Sequence, residues 1–109
     1  MPARRRSDTA PVRLVVLVVG VSSRFLERFR MAAAPRKAEI VSCDVSSFRR
    51  TAAFRVPRTI VVSDEAYARA PSIYDEISDD VCARLVRVPD HELGDEEIEA
   101  LVASTVRWT

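Results

Sequence analysis

"PVRLVVLVVGVSSRFLERF", residues 11–29, opens on an apolar run broken only by Arg13, halts at two serines and then turns amphipathic. Two readings compete. As an export signal it offers Arg4, Arg5 and Arg6 ahead of an apolar stretch from Val12 to Val21. Against this, Asp8 lies just upstream, Arg13 interrupts the stretch, and no A-x-A cleavage site follows before Arg24. A membrane span is excluded on length, since crossing the hydrocarbon layer takes about 20 apolar residues and this run is about half that. The strand reading accounts for more residues. Leu14 to Val19 is leucine and valine without polar alternation, as a central parallel strand covered on both faces requires. Gly20 then takes a tight turn, and Ser22 or Ser23 caps a helix on which Phe25, Leu26, Phe29 and Ala33 recur at helical spacing until Pro35.

The same grammar repeats downstream. Ala38 to Ser42 reads as a second strand, followed by a short helix capped by Asp44 or Ser46, with Phe48, Ala52 and Ala53 inward. Ile60 to Val62 forms a third strand ending at Ser63 and Asp64. Pro71 then interrupts the backbone bonding, and Ser72 caps a helix carrying Ile73, Tyr74 and Ile77 inward. Cys82 to Val88 is the fourth strand, with Leu85 and Val86 inside. A Pro/Asp/Gly junction leads to a last helix with Asp95, Glu96 and Glu97 in its first turn and Ile98, Leu101, Val102 and Thr105 on its inner face. Strands each followed by a helix imply a parallel sheet between helical layers. The expected fold is therefore α/β: a compact three-layer sandwich of about four strands spanning residues 12–109, preceded by a flexible basic arm over residues 1–11.

Composition agrees: 109 residues, 48% hydrophobic and 30% charged with two glycines, describe a chain that folds rather than one that stays disordered. The near-neutral total conceals a polarised chain. Residues 1–58 hold 13 of the 17 basic residues and 4 of the 16 acidic ones. If the two halves occupy different regions of the surface the molecule is dipolar, and if they interleave the field cancels. All but one of the basic residues are arginine, Lys37 being the exception. That choice suits bidentate contacts with carboxylates or phosphates, and base composition of the coding genome explains it equally well. Cys43 and Cys82 match no metal-ligand spacing and read as small buried hydrophobes, compatible with a reducing cytoplasm.

In an open parallel sheet, ligands gather beyond the carboxyl ends of the strands. At that edge Gly20, Ser22, Ser23 and Arg24 form a candidate anion site, the helix start supplying amide hydrogens and Arg24 a guanidinium. The loop matches no phosphate-loop or dinucleotide pattern, and a serine there is sufficiently explained as a cap. Asp64, after the third strand, is placed to receive a phosphoryl group or bind a cation, chemistry that needs further ligands. Asp44 is accounted for as a cap, and His91, the sole histidine, has no catalytic partner at a telling spacing. No catalytic set, metal site or cofactor is expected. Arg28, Arg30, Arg36, Lys37, Arg49, Arg50, Arg55 and Arg58 form a candidate basic surface for an acidic protein partner or a second copy of the chain. Nucleic acid is a weaker partner for these arginines, because no recognition-helix pattern is present and the acidic half repels phosphate.

"AEIVSCDVSSFRRTAAFRVPRTIVVSD", residues 38–64, and "ARLVRVPDHELGDEEIEALV", residues 83–102, resemble receiver domains of bacterial response regulators. The resemblance implies a flavodoxin-like sandwich, with Asp64 at the phosphoacceptor position. The departures fall on the chemistry. Gly20, Val21 and Ser22 stand where the family carries a magnesium-binding acidic pair, Val88 stands at its active lysine, and Arg87 is one residue out of phase. The interval after Asp64 also lacks one of the family's five strand units. The first-strand loop is more weakly similar to those of small phosphocarriers and low-molecular-weight phosphatases, which depend on a cysteine that residues 11–30 lack. A degenerate receiver acting as a noncatalytic interaction or scaffolding module in a bacterial regulatory system is expected. Small-anion binding or phosphoryl transfer at the first loop, and nucleic-acid binding, are the alternatives.

Overall fold

The computed structural model describes residues 14–36, 38–89 and 93–105. Strands β1 (Val15–Val19), β2 (Glu39–Cys43), β3 (Thr59–Ser63) and β4 (Arg84–Val88) form one sheet in the order β2-β1-β3-β4, every neighbouring pair parallel. Helices α1 (Ser23–Ala33), α2 (Phe48–Arg55), α3 (Asp64–Arg69), α4 (Pro71–Asp80) and α5 (Asp95–Thr105) make the crossovers and the final layer. The chain is thus an α/β three-layer sandwich.

The unalternating run in β1 is explained by burial on both sides. Val16 and Val18 face one apolar core with Phe29 and Ala33 of α1 and Ile98 and Val102 of α5. Leu17 and Val19 face the other, with Phe48 and Ala52 of α2 and Tyr74 and Ile77 of α4. β3 divides in the same way, Val61 toward the first core and Ile60 and Val62 toward the second. Each such side chain contributes about 1.5–3 kcal/mol by leaving water, so the two central strands anchor the fold. The edge strands β2 and β4 are only partly covered.

Several sequence expectations shift by local geometry. Cys82 sits at φ +58° and is exposed, so β4 begins two residues later than expected and the buried reading fits only Cys43, which is half-buried. Pro71 does break the chain, but as the first residue of α4, which lacks the expected Ser72 side-chain cap because Ala70 occupies the cap position. No strand separates α3 from α4, which accounts for the missing unit. Ala53 and Ile73 turn outward, since Phe48 and Ala52, and Tyr74 and Ile77, already fill the inner faces of their helices.

Strand order also sorts charge. The arginine-rich first half builds β1, β2 and the helices that follow them, and the acidic second half builds β3, β4, α3 and α4 toward the other edge of the strand order. Only α5 crosses back, onto α1, where Arg28 meets Asp95 at 2.6 Å and Arg36 meets Glu99 at 3.5 Å.

Candidate functional site

β1 ends at Gly20, whose φ of +71° favours glycine and whose closeness to α3 requires it: a Cβ there would lie 2.7 Å from the Cβ of Ala66. The turn delivers the chain to Ser22, whose Oγ accepts the amide hydrogen of Phe25 at 3.1 Å and caps α1. Ser63 ends β3 in the same manner, its buried Oγ accepting from the amide of Ala66 at 3.1 Å. Between these two capped helices and the end of β4 lies a cleft of about 270 Å³ lined by Gly20, Ser22, Arg24, Arg28, Ser63, Glu65 and Pro89, among others. It occupies the carboxyl edge, as topology dictates.

The charged groups of this cleft are engaged. Arg28 donates to the Leu93 carbonyl at 2.7 Å and to Asp95 Oδ1 at 2.6 Å, tying the start of α5 to α1. Glu65 accepts from Arg69 at 2.9 Å. Arg24 lines the same wall as Arg28, while Ser23, the first residue of α1, lines a neighbouring depression with Asp44.

Asp64 stands outside this cleft. Arg87 Nε donates to its Oδ1 at 3.1 Å, and the same guanidinium lies 4.5 Å above the Tyr67 ring. Tyr67 in turn donates to Asp75 at 3.0 Å. A one-residue offset along β4 places Arg87 on the opposite face of the sheet from Val88, the face that α3 covers. Its sequence position suggested a misplaced residue, whereas it reaches the carboxylate directly. Asp44 is a cap: its Oδ1 accepts from the Ser47 hydroxyl at 2.8 Å, the Ser46 hydroxyl at 2.9 Å and the Ser47 amide at 3.0 Å. These bonds, the Ser47 hydroxyl foremost, hold its carboxyl below the usual range. Among the described residues no group of three or more His, Cys, Asp or Glu is placed to hold a metal ion.

The candidate basic residues fall on two layers rather than one. Arg28 and Arg30 lie on α1 and Arg36 on the 3-10 turn that follows it (Ala34–Arg36), Arg30 donating to the Ile40 carbonyl at 3.3 Å and Arg36 to that of Ala32 at 3.2 Å. Arg49, Arg50 and Arg55 lie on α2 across the sheet, where Arg55 pairs with Glu39 of β2. Arg58 is exposed at the amino edge, its backbone amide bonded to the Val15 carbonyl. Lys37 and His91 are outside the described residues. The sequence reading missed Phe54, 81% exposed on α2, and Val56, 59% exposed just beyond it. The signal for Phe54 was its helical phase, opposite Phe48 and Ala52.

No family model matches the chain, and no curated protein matches it. Solved structures do. A de novo designed Rossmann fold protein superposes with a TM-score of 0.59 at 15% identity, covering 89% of this chain and 100% of that one. The lactose-specific IIB component domain of the phosphoenolpyruvate:carbohydrate phosphotransferase system from Streptococcus pneumoniae superposes with a TM-score of 0.57 at 14% identity, covering 88% and 100%. A de novo designed Rossmann 2x2 fold protein gives 0.54 at 12% identity, covering 85% and 86%. At such identities the likeness is one of fold, and with the strand order it defines a flavodoxin-like, Rossmann-like domain. Among the described residues no helix is long and apolar enough to cross a membrane.

Proposed function

We propose that the chain is a noncatalytic protein-interaction module, a degenerate receiver serving a regulatory or scaffolding system in a bacterial cytoplasm. The observation that carries this reading is Phe54, almost fully exposed on the outward side of α2, one helical turn beyond exposed Arg50 on the same face. An uncovered aromatic with an arginine on the same face is the composition of a binding hot spot, because it offers apolar area and a bidentate donor together. The engagement of Asp64 by Arg87, with no acidic pair after β1, argues against a phosphorylation switch. A photo-crosslinking residue at position 54, introduced in cells, is expected to trap a discrete protein adduct that the same residue at exposed Ala68 does not. Indistinguishable adducts from both positions would refute the reading.

The cleft between α1 and α3 supports a second reading, small-anion binding. The start of α1 and Arg24 line it together, and the phosphotransferase component is a fold neighbour. Titration with inorganic phosphate, followed by amide chemical shifts of Gly20 to Arg24, is expected to saturate under this reading. Unmoved shifts at high phosphate dismiss it.

A further inference from the structure

The layer that carries Phe54 has a second uncovered helix of opposite charge. α4 turns Tyr74 and Ile77 inward and leaves Glu76, Asp79 and Asp80 exposed, with Ile73 43% exposed on its flank. α2 is its neighbour, the rings of Phe48 and Tyr74 lying 4.8 Å apart between centroids beneath the two helices. Arg49 and Arg50 on α2, like Glu76, Asp79 and Asp80 on α4, make no side-chain ion pair among the described residues. Each helix precedes a strand of an all-parallel sheet, so the two run side by side in the same direction, against the strands.

We propose that this layer is the interface of a two-fold dimer, in which α2 of each copy seats on α4 of the other. The proposal rests on the interaction reading and names the partner as a second copy of this chain. A two-fold axis parallel to the strands, above the groove between the helices, exchanges left for right while preserving direction along the strands. It therefore lays the basic helix of one copy on the acidic helix of the other, twice over, as an isologous contact demands. Arg49 and Arg50 then face carboxylates that have no other ion-pair partner among the described residues, and Phe54 is removed from water. Rotation about an axis across the strands instead sets α2 on α2 and α4 on α4, which like charges oppose. Helices of eight and ten residues, about 12 and 15 Å long, make a small face. The dimer is accordingly salt-sensitive and reversible.

The test is sedimentation equilibrium of the full chain, with two charge-reversed variants. One carries Arg49→Glu and Arg50→Glu, the other Glu76→Lys and Asp79→Lys; all four positions are exposed, so folding is retained and is checked by circular dichroism. In ~0.1 M salt, where charges act over about 10 Å, the wild type is expected to show dimer, and in ~1 M salt, where they act over about 3 Å, its dissociation constant rises at least ~10-fold. Each variant alone is expected to be monomeric, and an equimolar mixture to recover dimer, because both contacts of the mixed pair again join opposite charges. A wild type monomeric at both salts, a variant as dimeric as the wild type, or a mixture that stays monomeric overturns the proposal. If the wild type is monomeric while position 54 still traps a different protein, the second copy is wrong and the interaction reading stands. Monomer with no specific adduct removes both.

Discussion

Arg87 Nε lies 3.1 Å from Asp64 Oδ1, joining the penultimate residue of β4 to the first residue of α3 across the carboxyl edge of the sheet. The pair is half exposed, so its Coulomb energy is modest, and the guanidinium's seat above Tyr67 adds to it. Arg87→Ala is expected to lower stability by about 0.5–1.5 kcal/mol, measured by urea unfolding. Incubation with acetyl phosphate and magnesium is expected to leave the intact mass of the wild type unchanged. Gain of one phosphoryl mass, abolished by Asp64→Asn, would reinstate a working acceptor.

Gly20 is fixed by two constraints at once, its positive φ and the nearby Ala66. Gly20→Ala is expected to cost about 1–3 kcal/mol, since neither the backbone region nor the neighbouring helix accommodates the methyl group. A urea midpoint within error of the wild type would contradict that geometry.

Val56 ends α2 at φ +46°, a left-handed conformation that a β-branched residue adopts only under strain, while its amide donates to the Ala52 carbonyl at 2.9 Å. Glycine suits this cap position. Because the valine side chain is exposed, Val56→Gly is expected to raise stability by about 0.5–1 kcal/mol, strain relief exceeding the entropy that glycine adds to the unfolded chain. A lower melting temperature would mean the valine contributes contacts that outweigh its strain.

Asp44 gives a pH signature. Its carboxyl titrates lower in the folded chain than in the unfolded one, so its stabilising contribution is fully present above the ordinary carboxylate value and is lost as pH falls through the lowered one. Asp44→Ala is therefore expected to melt below the wild type at neutral pH, with the gap closing in strong acid. A gap independent of pH would assign the effect to something other than the charged cap.

The two thiols differ in exposure. Burial chiefly, with the neighbouring Asp44 carboxylate, pushes the Cys43 thiol up, against partial opposition from hydrogen bonds with Thr51 and Ser47, while Cys82 is exposed. Mass-resolved alkylation at neutral pH is expected to label Cys82 first and Cys43 on a slower phase. Equal rates would show that α2 opens readily over β2.

How far each feature was legible depended on its range along the chain. The fold class was legible because a doubly covered strand must be apolar without alternation, and a parallel neighbour must be reached through a helix. Leu14 to Val19 and the helical spacing after Ser22 state both conditions locally. The Ser22 cap and the glycine turn that shape the cleft were visible for the same reason, since a cap bonds within three residues of itself, whereas the matching cap by Ser63 was read only as a strand end.

Only tertiary structure decided which of these pieces meet. The order β2-β1-β3-β4 sends the basic half to one side and the acidic half to the other, yet the crossovers divide the arginines between two layers. The period-two alternation of β4 brings Arg87 rather than Val88 to Asp64, and the inward phase set by Phe48 turns Phe54 outward. Local hydrogen bonding and periodicity depend on neighbours in sequence, and residues 11–29 contain those neighbours. Charge pairing and exposure depend on neighbours in space, and those exist only once the sheet has chosen its order.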